Sequence, residues 1–278
     1  MCTRFLVLLL AISLAVVGSL ARPVPASAGP VSAADVHGDN GQDRYVGTGG
    51  LVLPRSVGAA PRAQAAGCAD CRWRLATPCA LGLPGVAFPG QATCLSVVRG
   101  CPGVAQLLRV WFDDGAGWRD LGLICLGPGG PVTIRLLAVL AHDSFVKDLP
   151  PLRLGAAPTR GIVAQLPVIF DSGQPAGAFA ATYSLAGEQV EVTGRPQWTW
   201  RFGDGAALTT DDPGGPYPQL AVSHPYRRAG PVTVAVVADW AASFRVDGLG
   251  PFPISEAVTQ TAERDIVVGE GRAVLAVR

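Results

Sequence analysis

Trp198-Thr199-Trp200-Arg201-Phe202-Gly203-Asp204-Gly205 is the stretch on which the reading of this chain turns. The rings at 198, 200 and 202 alternate with Thr199 and Arg201, so one face of a strand carries all three aromatics into a core. Gly203-Asp204-Gly205 comes immediately after. Asp-Gly tolerates the positive φ angles of a tight hairpin, so the strand is expected to reverse there. Further on, His224-Pro225-Tyr226 leads through Arg227, Arg228 and Ala229 to Gly230, and then to the alternating Val232, Val234 and Val236.

Together these two segments resemble the signature of the polycystic-kidney-disease (PKD) domain family: a W-x-F-G-D-G strand and turn followed by H-x-Y-x-x-x-G. The resemblance covers roughly residues 159–278 and rests on Trp200, Phe202, Gly203, Asp204, Gly205, His224, Tyr226 and Gly230. It implies an immunoglobulin-like β-sandwich, in a secreted protein of actinobacterial type, and it implies no activity. Arg201 stands where the family usually has an acid, and Val232 where it has an aromatic. The segment from Ala206 to Ser223 is longer than a minimal PKD domain needs. Tyr226 resembles a tyrosine corner, which ties a strand entry to upstream backbone through its hydroxyl. The same resemblance gives His224 a structural hydrogen bond.

The first 28 residues read as a signal peptide: Arg4, an apolar run from Phe5 to Val17, then Ala26-Ser27-Ala28 as a small-x-small cleavage site. Gly18, Ser19 and Pro23 interrupt the run before it is long enough for an anchor. Cys2 precedes the apolar run, so it is not placed as a lipid acceptor. A secreted, extracellular chain beginning at Gly29 is expected. The whole sequence carries 22 basic and 21 acidic residues, a formal charge of +1. Loss of Arg4 and Arg22 with the leader reduces this to 20 against 21, or −1. With no basic run, nucleic acid is not an implied partner, and no later segment reads as membrane-spanning.

Residues 29–66 show Gly, Ala, Pro and scattered charges with little periodicity, which predicts a flexible leader. Leu51-Val52-Leu53 offers an edge strand to the cysteine-bearing region beyond it. That region, residues 67–130, holds Cys68, Cys71, Cys79, Cys94, Cys101 and Cys125. An even set in an exported chain reads as three disulfides stapling a small β module, with about 15 pairings open. Leu107–Phe112 and Trp118–Cys125, around Asp113-Asp114-Gly115, predict a hairpin. Residues 131–158 predict one short helix, on the spacing of Leu136, Leu137, Leu140 and Val146, and then a Pro-rich linker from Pro150-Pro151. From 159 to 278 strands are expected at 162–170, 178–184, 189–193, 197–202, 220–226, 232–240, 244–246 and 266–277. The fold class is mainly β.

Four constellations are open to a chemical reading. Cys68-Ala69-Asp70-Cys71 is a C-x-x-C, but a catalytic dithiol wants a helix N-terminus after a strand, and neither neighbour fits; zinc needs thiolates kept reduced. Val168-Ile169-Phe170-Asp171-Ser172-Gly173 resembles the apolar-apolar-D-[ST]-G of aspartic proteases, yet no second copy exists to share the proton. The plainer reading is a strand ending in an Asp-Ser-Gly turn. Asp204, Asp211 and Asp212 would bring carboxylates near one loop, the oxygen set calcium takes, without matching a defined calcium loop. Trp240, Phe244 and Phe252 flank Gly248, Gly250 and Pro251. If exposed together they would form an aromatic platform for a sugar or a protein; if not, they are core.

His142-Asp143-Ser144 are neighbours along a helix and cannot form a triad by adjacency. No cofactor is implied. The expected function is a non-catalytic binding or interaction module with protein or carbohydrate partners at a bacterial envelope. A secreted hydrolase with an unrecognised site is the alternative, and a thiol oxidoreductase a more distant one.

Overall fold

The protein's structure, a computed structural model, describes residues 36–37, 43–78 and 100–271. Cys79, Cys94 and the segment 1–28 expected as a signal peptide lie outside the described residues. The first region is built on β1 (Val36–His37), β2 (Asp43–Thr48), β3 (Arg72–Ala76), β4 (Gln106–Asp113) and β5 (Arg119–Leu126). They form one antiparallel sheet in chain order. The β4–β5 hairpin is the one its sequence predicts. Asp113 shapes its turn, accepting the N–H groups of Gly115 (2.9 Å) and Gly117 (3.0 Å) and pairing with Arg72.

One face of this sheet buries Trp73, Leu75, Leu108, Val110, Phe112 and Ile124. Leu51, Leu53 and Ala65 cover it from the segment that precedes β3. That segment corrects the expectation of a flexible leader across 29–66. Its described part holds β2, a short 3-10 turn (Arg55–Val57) and helix α1 (Ala59–Gly67). Pro61 hides the helix from a pattern reading, yet it sits in the first turn, where no intrahelical N–H is lost. Leu51-Val52-Leu53 does not extend the sheet; Leu51 forms only an isolated bridge to Thr133.

Helix α2 (Ile134–Asp148) starts where Thr133 accepts the Leu136 N–H at 3.1 Å. Its buried stripe is Leu137, Ala141 and Phe145, spaced four apart. Val146, counted on the apolar side from sequence, is instead exposed. With α1, the described residues hold two α-helices where one was expected.

Among the described residues nine strands come after α2: β6 (Gly155–Ala157), β7 (Pro167–Asp171), β8 (Phe179–Leu185), β9 (Glu188–Arg201), β10 (Ala207–Thr210), β11 (Ser223–Pro225), β12 (Gly230–Val246), β13 (Leu249–Pro253) and β14 (Val258–Val268). β9 and β12 pair along twelve residues and form the spine of a six-stranded antiparallel sheet. β8 and β10 share the outer edge of β9, end to end, while β14 and β13 share that of β12. Four predicted segments, 189–193, 197–202, 232–240 and 244–246, are therefore two continuous strands.

The even-numbered residues of both spine strands turn inward. Two different elements cover them. Over one end lies the three-stranded sheet β11-β7-β6, whose Phe170 ring is 6.1 Å from Trp200 and 5.4 Å from Phe202. Over the other end lies α2. Phe145 meets Phe179 edge-on at 5.1 Å and Trp240 at 5.8 Å. Its ring lies so near Gly194 that a Cβ there would stand 2.5 Å from it.

Candidate functional site

The segments that organise the sequence meet at one end of the spine. β9 ends at Arg201, and Phe202 donates its N–H to the Ala206 carbonyl (3.0 Å) across the turn. Gly203 has a φ of +84°, and a Cβ there would meet the Thr233 carbonyl oxygen of β12 at 2.5 Å, so the turn needs glycine twice over. Gly205, also at positive φ, leads into β10, and Gly230 opens β12.

Asp204 Oδ1 accepts the Ala206 N–H at 3.1 Å, and Oδ2 meets His224 Nε2 at 2.8 Å. The His224 ring lies flat on Phe202, centroids 4.3 Å apart and planes 6° from parallel, and edge-on to Tyr226 at 4.9 Å. Tyr226 closes the circuit by donating its hydroxyl to the Phe202 carbonyl at 3.0 Å. Tyr226 thus bonds upstream backbone, and His224 bonds the Asp204 carboxylate.

The electrostatics fit a structural role. Burial raises the Asp204 carboxyl, but the His224 bond, the Ala206 N–H and the imidazole charge outweigh it and hold the group below its ordinary value. Burial, aided by the charge of Asp204, pushes the Tyr226 hydroxyl up to about 12. A histidine–carboxylate pair is two-thirds of a hydrolytic triad. Here the adjacent hydroxyl is protonated, buried and donated to backbone, so the constellation locks a corner.

The remaining candidates stand apart from this corner. Asp171 Oδ1 accepts the Gly173 N–H at 2.8 Å, the turn geometry expected of Asp-Ser-Gly, and its carboxylate lies against the Gly155 backbone. Asp212 accepts the Gly214 N–H at 2.9 Å, and Asp211 is exposed. Neither joins Asp204. Among the described residues no three His, Cys, Asp or Glu side chains converge in a way that would hold a metal ion. His142 and Asp143 touch at 3.2 Å within α2, while Ser144 donates to the Leu140 carbonyl.

Trp240, Phe244 and Phe252 do not form an exposed platform. Trp240 and Phe244 are buried, and Phe252 packs half-buried on Phe244 at 5.4 Å. Alternation places the first two among the inward even positions, so core packing claims them.

A chain of polar groups behind them escapes sequence reasoning. Trp198 Nε1 donates to Gln174 Oε1 at 2.9 Å, and Gln174 Nε2 donates to Gln260 Oε1 at 2.6 Å and to the Pro150 carbonyl at 2.8 Å. Trp240 Nε1 reaches the same Gln260 oxygen at 3.3 Å. Two isolated glutamines in polar surroundings carry no signal that one will be buried and the other half-buried.

The cysteine region holds the more open geometry. Cys68–Cys71 and Cys101–Cys125 are disulfides, both within the expected segment. The first ties the C-terminus of α1 to the start of β3, the end of a helix opposite to that of a thiol-lowering dipole. It borders a groove of about 620 Å³ between the first sheet region and α2. Gly50, Cys68, Asp70, Ile134, Arg135 and Phe252 are among its lining residues. That is within the size range of small-ligand sites, with apolar walls and one charge of each sign. Among the described residues no helix is long and apolar enough to cross a membrane. No family model matches the chain. No curated protein matches it either.

Proposed function

We propose that the chain is a secreted, non-catalytic binding protein, built on a PKD-like β-sandwich and acting at a bacterial envelope. One observation carries the reading: the motif side chains that look reactive in sequence are spent on one another. Asp204 holds His224, His224 covers Phe202, and Tyr226 holds the Phe202 backbone. The disulfides fit an oxidising compartment. The groove beside Cys68 offers a concave surface for a ligand, and protein or carbohydrate segments are the classes its mixed walls suit.

The test is co-sedimentation of the mature chain with purified bacterial envelope, with the supernatant analysed for released sugars and peptides. Saturable binding without release is expected, and Ala69→Trp, which fills the groove from an exposed position, should weaken it at least ten-fold. Release of soluble products in proportion to time would replace this reading with a hydrolase. Binding untouched by Ala69→Trp would move the site elsewhere.

A further inference from the structure

We propose that Cys68–Cys71 is an exchangeable disulfide whose electrophilic sulfur is Cys68, approached by a thiolate through the groove. The observation is an asymmetry between the two cysteines. Cys71 is fully buried, at 0% exposure, whereas Cys68 is half-exposed and lines the groove. A nucleophile must approach a disulfide sulfur from the side opposite the bond that breaks. Cys68 borders the groove, whereas burial withholds Cys71 from any approach. Arg135 and Asp70 both line the groove, so it carries one residue of each charge beside Cys68.

The fold also depends less on this bond than on its neighbour. Cys68 and Cys71 are 3 residues apart and Cys101 and Cys125 are 24 apart. On the chain-entropy account the longer closure shifts the folding equilibrium roughly 20-fold more than the shorter one. A pair that closes a single turn at the end of α1 can open without releasing either sheet region.

The step balances without further reagents. A thiolate of a partner dithiol bonds to Cys68 Sγ as the Cys68–Cys71 bond breaks, and its electron pair leaves on Cys71 Sγ, which takes a proton. The partner's second thiol, once deprotonated, attacks the mixed disulfide, and Cys68 leaves as the thiolate and is protonated. Two electrons and two protons pass from the partner dithiol to the cysteine pair, and the partner gains a disulfide. The partner class is a dithiol, or two equivalents of a small monothiol, and in a polypeptide it is a pair of cysteines in an extended segment.

This goes beyond the binding reading, and its test does not depend on an envelope ligand. The folded mature chain is titrated with dithiothreitol, alkylated, and mapped by peptide mass. Cys68 and Cys71 should be labelled at a reductant concentration at least ten-fold below that needed for Cys101 and Cys125, with the near-UV circular dichroism retained. A second arm compares Cys71→Ser with Cys68→Ser under glutathione disulfide and under a cysteine-containing peptide disulfide. Cys68 should form the mixed adduct in the first variant, while Cys71 stays unmodified in the second. Modification by glutathione alone would assign a small thiol, and preference for the peptide a polypeptide partner. Simultaneous opening of both bonds, only as the fold is lost, would overturn the proposal, as would equal modification of the two variants.

Discussion

The hydroxyl of Tyr226 donates a hydrogen bond of 3.0 Å to the backbone carbonyl of Phe202, 24 residues upstream. This single bond ties the connection from β11 to β12 to the end of β9, at the point where the His224 ring covers Phe202. It joins the two motif segments through backbone, so it tolerates change in the side chains around it.

Removing that hydroxyl is expected to cost ~1–2 kcal/mol, because one buried acceptor loses its partner while little volume changes. The same hydroxyl gives an alkaline signature. Its value is raised to about 12 in the folded chain by burial first and the Asp204 charge second. An unfolded tyrosine ionises near ~10. Between these values the folded state holds a proton that the unfolded state has lost, so stability is full below pH 10 and falls as pH rises toward 12. Denaturant melts of Tyr226→Phe and the parent across pH 8–11.5 check this; the variant's curve should fall less steeply. Parallel curves would remove Tyr226 from the corner.

Trp198 and Trp200 sit on the same buried face, both at 0% exposure, but their indole N–H groups differ. Trp198 donates to Gln174, whereas Trp200 Nε1 has no hydrogen-bond partner among the described residues. Truncating Trp200 to Ala should cost ~3–5 kcal/mol through lost packing, and Asp211→Ala, at an exposed turn, should stay within about 0.5 kcal/mol. Replacement by Phe separates packing from hydrogen bonding. Trp198→Phe leaves Gln174 short of a donor, and Trp200→Phe removes an unpaired polar group, so the first should be the more costly by ~1–2 kcal/mol. Thermal melts that ranked them the other way would reverse this account of the core.

Much of this was legible in the residues. Alternation along 198–202, the Asp-Gly turn, the β4–β5 hairpin and the helix before Pro150 all come from local pattern. The length of β9 and β12 was not legible. Gly194-Arg195-Pro196 reads as a break, because proline cannot donate to a ladder. In the sheet, β8 pairs β9 only up to Gly194 and β10 only from Trp198. Pro196 thus falls in the gap between two edge strands, where its missing N–H is not called on. The strand expected at 162–170 begins instead at Pro167, since Gln165 takes a φ of 73° and its N–H turns to the Tyr226 carbonyl. The last strand starts earlier than expected, at Val258, through polar residues whose alternation is masked by an outward face of Thr, Glu and Asp. Of the candidate chemistry, Asp204, His224 and Tyr226 were legible as a motif. Their contacts with one another and with Phe202 were not, because they join residues 20 to 24 positions apart.

Helix α2 leads to a third expectation. Phe145 fills the space beside Gly194 and packs on Phe179 and Trp240, so residues N-terminal to 159 belong to the core of the long sheet. A fragment of residues 159–278 should lack cooperative unfolding and bind a hydrophobic dye, while one of residues 131–278 should fold. Within the full chain Phe145→Ala should cost ~3–5 kcal/mol. Near-UV circular dichroism of the two fragments decides the point; matching melts would show that α2 is dispensable.

Asp247 occupies the tight turn between β12 and β13 at a φ of 49°, and its carboxylate pairs with both Arg55 and Arg62 from the first sheet region. The two arginines are not equivalent. The Arg55 side chain is 81% exposed, whereas that of Arg62 is 10% exposed and also donates Nε to the Leu53 carbonyl at 3.0 Å. Solvent screens an exposed pair almost completely, so Arg55→Ala should be nearly silent. Breaking a buried pair strands a charge and costs ~3–5 kcal/mol, reduced here by the partial exposure of Asp247. Asp247→Asn is the informative variant, because asparagine accepts the left-handed turn as readily as aspartate and removes only the charge. It should destabilise by ~2–3 kcal/mol, well beyond Arg55→Ala. The Arg55 bond, against the opposing effect of burial and with the charges of Arg62 and Arg55, holds the Asp247 carboxyl below its ordinary value. Its stabilisation is therefore present above the unfolded carboxylate value of ~4 and is lost as pH falls below it. Denaturant melts at pH 7 and pH 3 should show a parent that weakens in acid and an Asp247→Asn variant that weakens less. If Arg55→Ala and Asp247→Asn cost the same at pH 7, the buried arginine does not hold the two sheet regions together.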